Sequence, residues 1–166
     1  MAYLYKNDYT TVITQEYLDQ ILTQAAANST LTEDEIREDA EDTAQAEITS
    51  YLYARFLIED EFAKVAPDEN RNKIIMRCVM NIAIYNIHFV INPRDVPETR
   101  EKAYDACLDK LAAFRDGNLL FPPPPADGGI SPRPPEQGGS SRVNLTSNVK
   151  FISKPYSDIH PEDPTT

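Results

Sequence analysis

Carboxylates in the stretch 33–47 are the side chains of this 166-residue sequence whose spacing could support chemistry. On a helix, Glu38 and Asp42 lie one turn apart, and so do Glu35 and Asp39. Hard cations bind clusters of carboxylate oxygens, so the pattern raises the question of a metal site. However, the stretch has no calcium-loop glycine and no histidine, and its charges lie opposite an apolar stripe. We therefore interpret it as a solvated helix face, and we expect neither a metal site nor a cofactor.

Histidine and cysteine, which often carry acid–base or nucleophilic catalysis, occur only twice each. The two histidines, His88 and His160, have no serine or cysteine at a spacing that suggests a nucleophile and its base. The two cysteines, Cys78 and Cys107, lie on apolar helix faces and are expected to be reduced core thiols. No phosphate-binding glycine loop, nucleophile elbow or zinc spacing is present. We expect a protein that is not an enzyme, and a metal-dependent enzyme built on the acidic helix stays as the weaker alternative.

Arg55 has two interpretations. It lies one turn beyond Tyr51 and directly before Phe56, at the margin of an apolar face. It is either a surface arginine whose long stem covers apolar groups, or an anchor that pairs with a carboxylate and stacks on tyrosine, within a helix or between subunits. The sequence leaves both open.

Apolar residues at helical spacing, with capping signals, predict an all-α fold. Thr14 is an N-cap candidate, Thr32 with Glu35 forms a capping box, and Gly117 is a C-terminal cap candidate. The predicted bundle has about four helices, at about 15–27, 33–57, 70–90 and 97–116. Residues 1–13 are either a short strand or an extended arm, and the sequence does not separate the two.

The composition changes abruptly after Phe121. Ten of the 13 prolines and four of the five glycines follow Leu120, which favours a stiff linker over a packed core. We predict a helical domain at 1–120, a Pro/Gly-rich linker at 121–142 and a C-terminal docking arm at 143–166. The fold therefore ends in a long, extended arm whose apolar patch has no core of its own.

Charge narrows the classes of partner. The net charge is −11, and residues 1–120 carry 22 acidic and 12 basic side chains. Binding to nucleic-acid phosphate needs a basic footprint, so this balance argues against it. No signal peptide and no uninterrupted apolar stretch long enough for a membrane span is visible, so we expect a soluble protein with no membrane partner.

The order of these elements resembles the head–tail connector (adaptor) proteins of tailed bacteriophages, of the Mu-like connector type, over about residues 3–120. Three motifs carry the resemblance: Ile48, Ser50, Tyr51, Leu52, Arg55 and Phe56 at the end of the acidic helix; Ile82, Ala83 and Tyr85; and Arg100, Ala103, Tyr104, Leu108 and Leu111 with Gly117 and Leu119-Leu120 behind them. The sequence departs from the family at two places. It has Ile58-Glu59-Asp60-Glu61 where the family often has a proline-containing loop, and its tail is longer than is usual in the family.

The resemblance implies a structural virion protein at the head–tail junction, made in the host cytoplasm. It would form a ring of about 12 copies between the portal protein and the tail or stopper proteins. Double-stranded DNA would pass through the lumen without specific binding. The C-terminal arm would clasp the portal or a neighbouring subunit.

We expect the interaction residues to be aromatic, basic or apolar side chains on the second and third helices and in the arm: Tyr51, Arg55, Phe56, Tyr85, Val143, Leu145, Val149, Phe151, Ile152 and Tyr156. The alternative is a free helical adaptor that recruits a soluble protein through its tail. A chain that stays monomeric with the portal present would favour that alternative.

Overall fold

The computed structural model of the protein describes residues 3–64, 70–121 and 129–134. These residues form a short 3-10 helix and five α-helices, and the described part of the chain contains no strand. The helices are a 3-10 helix at Lys6–Thr11, α1 at Gln15–Ala27, α2 at Glu33–Leu52, α3 at Ile58–Phe62, α4 at Lys73–Ile91 and α5 at Glu98–Asp116. The predicted all-α class is confirmed. The predicted arm lies outside the described residues, and the proposed domain boundaries stay a prediction.

The most apolar helix, α4, lies at the centre. It packs most extensively against α2 and also contacts α5 and α1. Its residues 82–84 follow one another along the helix and are all completely buried, so neighbours cover it on several sides. By length and composition α4 could also span a membrane; however, more than half of that stretch is buried within the protein, and a buried core helix meets the same criterion.

The predicted helix ends are largely confirmed because local hydrogen bonds fix them. At the start of α2, the backbone N–H of Glu35 donates to the Thr32 hydroxyl, while the Thr32 N–H donates to the Glu35 carboxylate at 2.8 Å. The Thr32 N–H and then the Thr32 hydroxyl, both of which donate to this carboxylate, lower the pKa of Glu35. α5 ends at Gly117, whose φ of +83° lies in the left-handed region that glycine tolerates best.

The prediction that the second helix runs to about residue 57 is wrong, since α2 ends at Leu52. Residues that follow it pair with a distant segment instead of continuing the helix. The Leu57 N–H donates to the carbonyl of Ser131 at 2.9 Å, and the Arg133 N–H donates to the carbonyl of Arg55 at 2.8 Å. The chain then turns into α3 and buries Ile58 completely.

The expectation of a strand or an extended arm is also wrong for residues 3–13. Tyr3, Leu4 and Tyr9 are buried in the core around the 3-10 helix. The Tyr3 hydroxyl donates to Glu61 at 2.8 Å, and the Tyr9 hydroxyl donates to Glu41 at 3.0 Å. Burial raises the pKa of both tyrosines, and the adjacent carboxylates raise it further, so both remain protonated donors.

His88 gives the fold a pH-dependent element. It is buried on α4, its Nε2 lies 3.3 Å from the Tyr17 hydroxyl, and burial followed by the charge of Arg100 lowers its pKa from the ordinary 6.5. On acidification the unfolded chain therefore takes up a proton before the folded chain does. The stability contributed by neutral His88 is complete above pH 6.5 and is lost as the pH falls below that value.

We therefore predict that the free energy of unfolding decreases between pH 6.5 and 5.5, and that His88→Gln removes most of this decrease because glutamine does not titrate. Urea unfolding followed by circular dichroism, in half-unit steps from pH 7.5 to 5.5, measures it. Tyr17→Phe is the control, because it keeps the imidazole and should keep the slope. An unchanged slope in His88→Gln would contradict the assignment.

Candidate interaction surface

Three of the predicted interaction residues meet where α2 ends. Tyr51, Arg55 and Phe56 lie beside the C-terminal end of α5 and the segment 129–134. We call this region the α2–α5 corner. Because α2 stops at Leu52 rather than at residue 57, the chain turns here and presents its side chains to two other segments instead of one helical face.

Arg55 caps the end of α5. Its Nη1 donates to the carbonyl of Arg115 at 3.1 Å, and its guanidinium carbon lies 5.7 Å from the centre of the Phe56 ring. A helix leaves its last carbonyls without helical partners and its C-terminal end partly negative, so a guanidinium suits this position. Arg115, with a smaller contribution from Arg55, lowers the pKa of Asp116. Arg55 therefore joins α2 to α5 within the subunit, and it contacts a phenylalanine rather than a tyrosine.

Phe56 belongs to a buried aromatic column. Its ring meets Phe121 edge to face with centroids 5.0 Å apart, and Phe121 stacks on Phe114 of α5 with centroids 3.8 Å apart. All three side chains are buried. Such rings stabilise the corner through buried area and favourable geometry. Phe56 thus serves the subunit core in this structure, and an intersubunit role for it stays a prediction.

Arg133 is a residue of the corner that sequence reasoning missed. Its Nη2 donates to both carboxylate oxygens of Glu59 at 2.7 and 2.9 Å, and its Nε donates to the carbonyl of Tyr53 at 2.7 Å. Its guanidinium carbon lies 3.9 Å from the centre of the Tyr53 ring. Ile130 is buried nearby in sequence. A single isoleucine and an arginine among prolines and glycines were the only signals that this part of the predicted linker contacts the helical body.

Tyr85 lies in a second aromatic cluster. It stacks on Tyr104 of α5 with centroids 4.3 Å apart and planes at 16°, and its ring centroid lies 6.4 Å from that of the half-exposed Phe89. The Tyr104 hydroxyl donates to Glu47 of α2 at 2.7 Å. Burial and this bond raise the pKa of Tyr104, and Tyr85 and Tyr51 add to the effect. Half-buried tyrosines of this kind are enriched at protein interfaces.

The remaining predicted interaction residues lie outside the described residues: Val143, Leu145, Val149, Phe151, Ile152 and Tyr156.

Glu38 and Asp42 of the acidic helix are exposed. Within the ranges that the structure describes, no group of three or more His, Cys, Asp or Glu side chains could hold a metal ion. The contacts at the α2–α5 corner are aromatic packing, hydrogen bonds to backbone carbonyls and the Arg133–Glu59 ion pair, and all of them hold segments of one subunit together.

Comparison with known proteins gives a match to a family model. The family model described as Bacteriophage Mu, Gp36 matches residues 3–132. The match covers the helical body and reaches into the segment 129–134, beyond the residue at which the sequence predicts the helical domain to end. No curated protein and no solved structure matches the chain.

The cap of α5 predicts a specific penalty at Gly117. A Cβ placed on Gly117 would lie 2.5 Å from the Arg55 Nη1, and the left-handed backbone is unfavourable for alanine. We expect Gly117→Ala to lower the free energy of unfolding by about 1–2 kcal/mol from the backbone alone, with a further loss because Arg55 must move. Urea denaturation measures this difference.

The double variant Arg55→Ala with Gly117→Ala separates the two contributions. With the guanidinium removed, only the backbone penalty should remain, so Gly117→Ala should cost less in this background than in the native chain. If Gly117→Ala lowers the free energy of unfolding equally in both backgrounds, the Arg55 side chain does not clash with the added methyl group.

Arg133 is expected to hold the segment 129–134 on the corner. Arg133→Ala removes the bonds to Glu59 and Tyr53, so the Leu57 amide, which donates to Ser131, should exchange with solvent on the order of tenfold faster. Hydrogen exchange followed by mass spectrometry measures this. Arg94→Ala is the control, because Arg94 is exposed and its side chain forms no ion pair among the described residues. Unchanged exchange at Leu57 in Arg133→Ala would contradict the assignment.

Proposed function

The chain belongs to the bacteriophage Mu Gp36 family, and from this we propose that it is a structural protein of a tailed phage that forms an adaptor ring between portal and tail. Membership points to a phage structural or assembly protein, located in the virion or associated with it. Beyond this membership, we propose the adaptor role, the ring and the portal as partner. The family match over residues 3–132 is the observation that carries the proposal.

Charge supports a ring through which DNA passes. The net charge of −11 disfavours stable contact with phosphate, because like charges repel. A lumen lined by exposed carboxylates would repel the phosphates of the duplex and let it pass without stable contacts. We propose a role in assembly and passage rather than in catalysis.

Partly exposed apolar and aromatic side chains supply surface for partners. Phe89 and Val90 at the end of α4 are each about half exposed, and Leu120 beyond α5 is 73% exposed. Together with the half-buried Tyr51, Tyr85 and Tyr104 they fit contacts with neighbouring subunits, the portal or tail proteins.

The C-terminal arm, residues 143–166, is proposed to clasp the portal or a neighbouring subunit. Its apolar residues partly alternate between Val143 and Ile152, as in segments that add a strand to a partner. The segment 129–134 holds the chain on the α2–α5 corner.

The decisive measurement is electron microscopy of the chain mixed with the portal of its own phage. We expect rings of this chain stacked on the portal.

A chain that lacks residues 140–166 should keep its helical circular dichroism, but fewer heads should join to tails. The reason is that the arm is proposed to supply contacts outside the helical body.

The full-length chain, and the portal alone, are the controls. A full-length protein that stays monomeric and ignores the portal would overturn the adaptor role and favour a free adaptor that recruits a soluble protein. Normal joining of heads to tails by the truncated chain would leave the ring standing and remove the role of the arm.

A further inference from the structure

A cationic groove lies between α4 and α5 on this acidic protein. It has a volume of about 600 Å³, and its walls carry four basic side chains and no acidic one: Lys73, Arg77, Arg100 and Lys110. Its lining also includes small or apolar residues such as Ile74, Ala103 and Ala106, together with the thiols Cys78 and Cys107. Positive charge is thus concentrated in the cationic groove although the protein is acidic overall.

These four cations lack the partners that most other basic residues have. Ion pairs occupy seven basic residues of the described ranges: Lys6, Arg37, Lys64, Arg71, Lys102, Arg115 and Arg133. None of the four groove cations forms an ion pair within those ranges. Arg100 only approaches the face of the Tyr17 ring, at 5.9 Å. A cluster of unpaired like charges raises the electrostatic energy of the monomer, and an acidic partner would lower it.

The same chain carries a complementary surface on α2. Glu35, Glu38 and Asp42 recur three and four residues apart, all three are exposed, and none forms an ion pair within the described part of the chain. We call these three residues the acidic stripe. No residue of α2 lines the cationic groove. One copy can therefore offer its stripe to a second copy while its own groove stays open to a third.

We propose that the cationic groove of each subunit receives the acidic stripe of the next subunit. The acidic stripe is short enough to lie along the groove. At 1.5 Å per residue, the stripe from Glu35 to Asp42 spans roughly 10 Å, and the groove charges from Arg100 to Lys110 span roughly 15 Å. Two different surfaces of one chain meet head to tail, which is the arrangement that closes into a ring. This inference rests on the proposed adaptor ring and identifies the contact between its subunits.

A protein partner suits the groove better than nucleic acid does. Phosphate binding would have to overcome the net charge of −11. An acidic helix on a like-charged subunit meets the same long-range repulsion, but the small exposed side chains Thr43 and Ala46 beside its stripe can also pack against Ile74 and Ala103 in the groove lining. Salt should weaken the contact, because exposed charge pairs are screened.

Two charge-reversed variants test the pairing. The groove variant carries Arg77→Glu and Lys110→Glu, and the stripe variant carries Glu38→Lys and Asp42→Lys; all four side chains are exposed, so the fold should tolerate the changes. Each variant alone should assemble at least about tenfold more weakly than the native chain, because like charges then face each other. An equimolar mixture should recover assembly, because the basic stripe meets the acidic groove and the native pair also forms.

Assembly is measured by sedimentation velocity of the chain alone and by electron microscopy with the portal, in low and in high salt. The control variant, Arg94→Glu with Lys102→Glu, changes the net charge as the groove variant does, but outside the groove, and should assemble like the native chain. Circular dichroism checks that each variant folds.

The outcomes separate the inference from the proposed function. If native rings form on the portal and both charge-reversed variants form them equally well, the pairing is wrong and the adaptor role stands. If the mixture recovers oligomers that ignore the portal, the pairing stands and the adaptor role is wrong. A third outcome is that the native chain binds a 30-base-pair DNA duplex, and that the groove variant loses this binding but assembles normally. The groove would then be a phosphate-binding site, and the proposed pairing would be wrong.

Discussion

The burial of α4 is the constraint on which the rest of the structure depends. This helix has apolar residues on several sides, and a single neighbour covers only one of them. α2, α5 and α1 supply the cover, and their own polar faces then turn outward. The acidic surface of α2 and the half-buried tyrosines at its end are consequences of this arrangement, because the faces that do not touch α4 have to meet water or a partner.

Hydrogen bonds to two buried carboxylates hold the N-terminal segment, residues 3–13, against this core. Glu61 accepts hydrogen bonds from the Tyr3 hydroxyl and from the backbone of Asn72, and it pairs with Lys64 at 2.6 Å. Glu41 pairs with Arg37 at 2.9 Å and accepts from Tyr9. Burial raises the pKa of Glu41, and Arg37 offsets part of that effect. Since a buried charge is costly without partners, these networks specify where the segment lies.

Much of the helical framework could be predicted from the sequence because its signals are local. The capping box at Thr32, the period of α1 and the glycine after α5 each depend on residues within a few positions of one another. The end of α2, the 3-10 helix and the contacts of Arg133 depend on partners that are tens of residues away, such as Tyr3 with Glu61 and Arg133 with Glu59. The cationic groove was missed for the same reason: its four charges come from two helices, and only their packing brings them together.

The attachment of residues 129–134 has a mechanical consequence. The chain beyond residue 134 is covalently joined to the helices only through this segment, so a pull on it loads the bonds of Arg133 and the backbone pairs of Arg55 and Leu57 before it loads the end of α5. Several short bonds on one segment share such a load. Tension on the tail would thus be transmitted first to the C-terminal end of α2 and the start of α3.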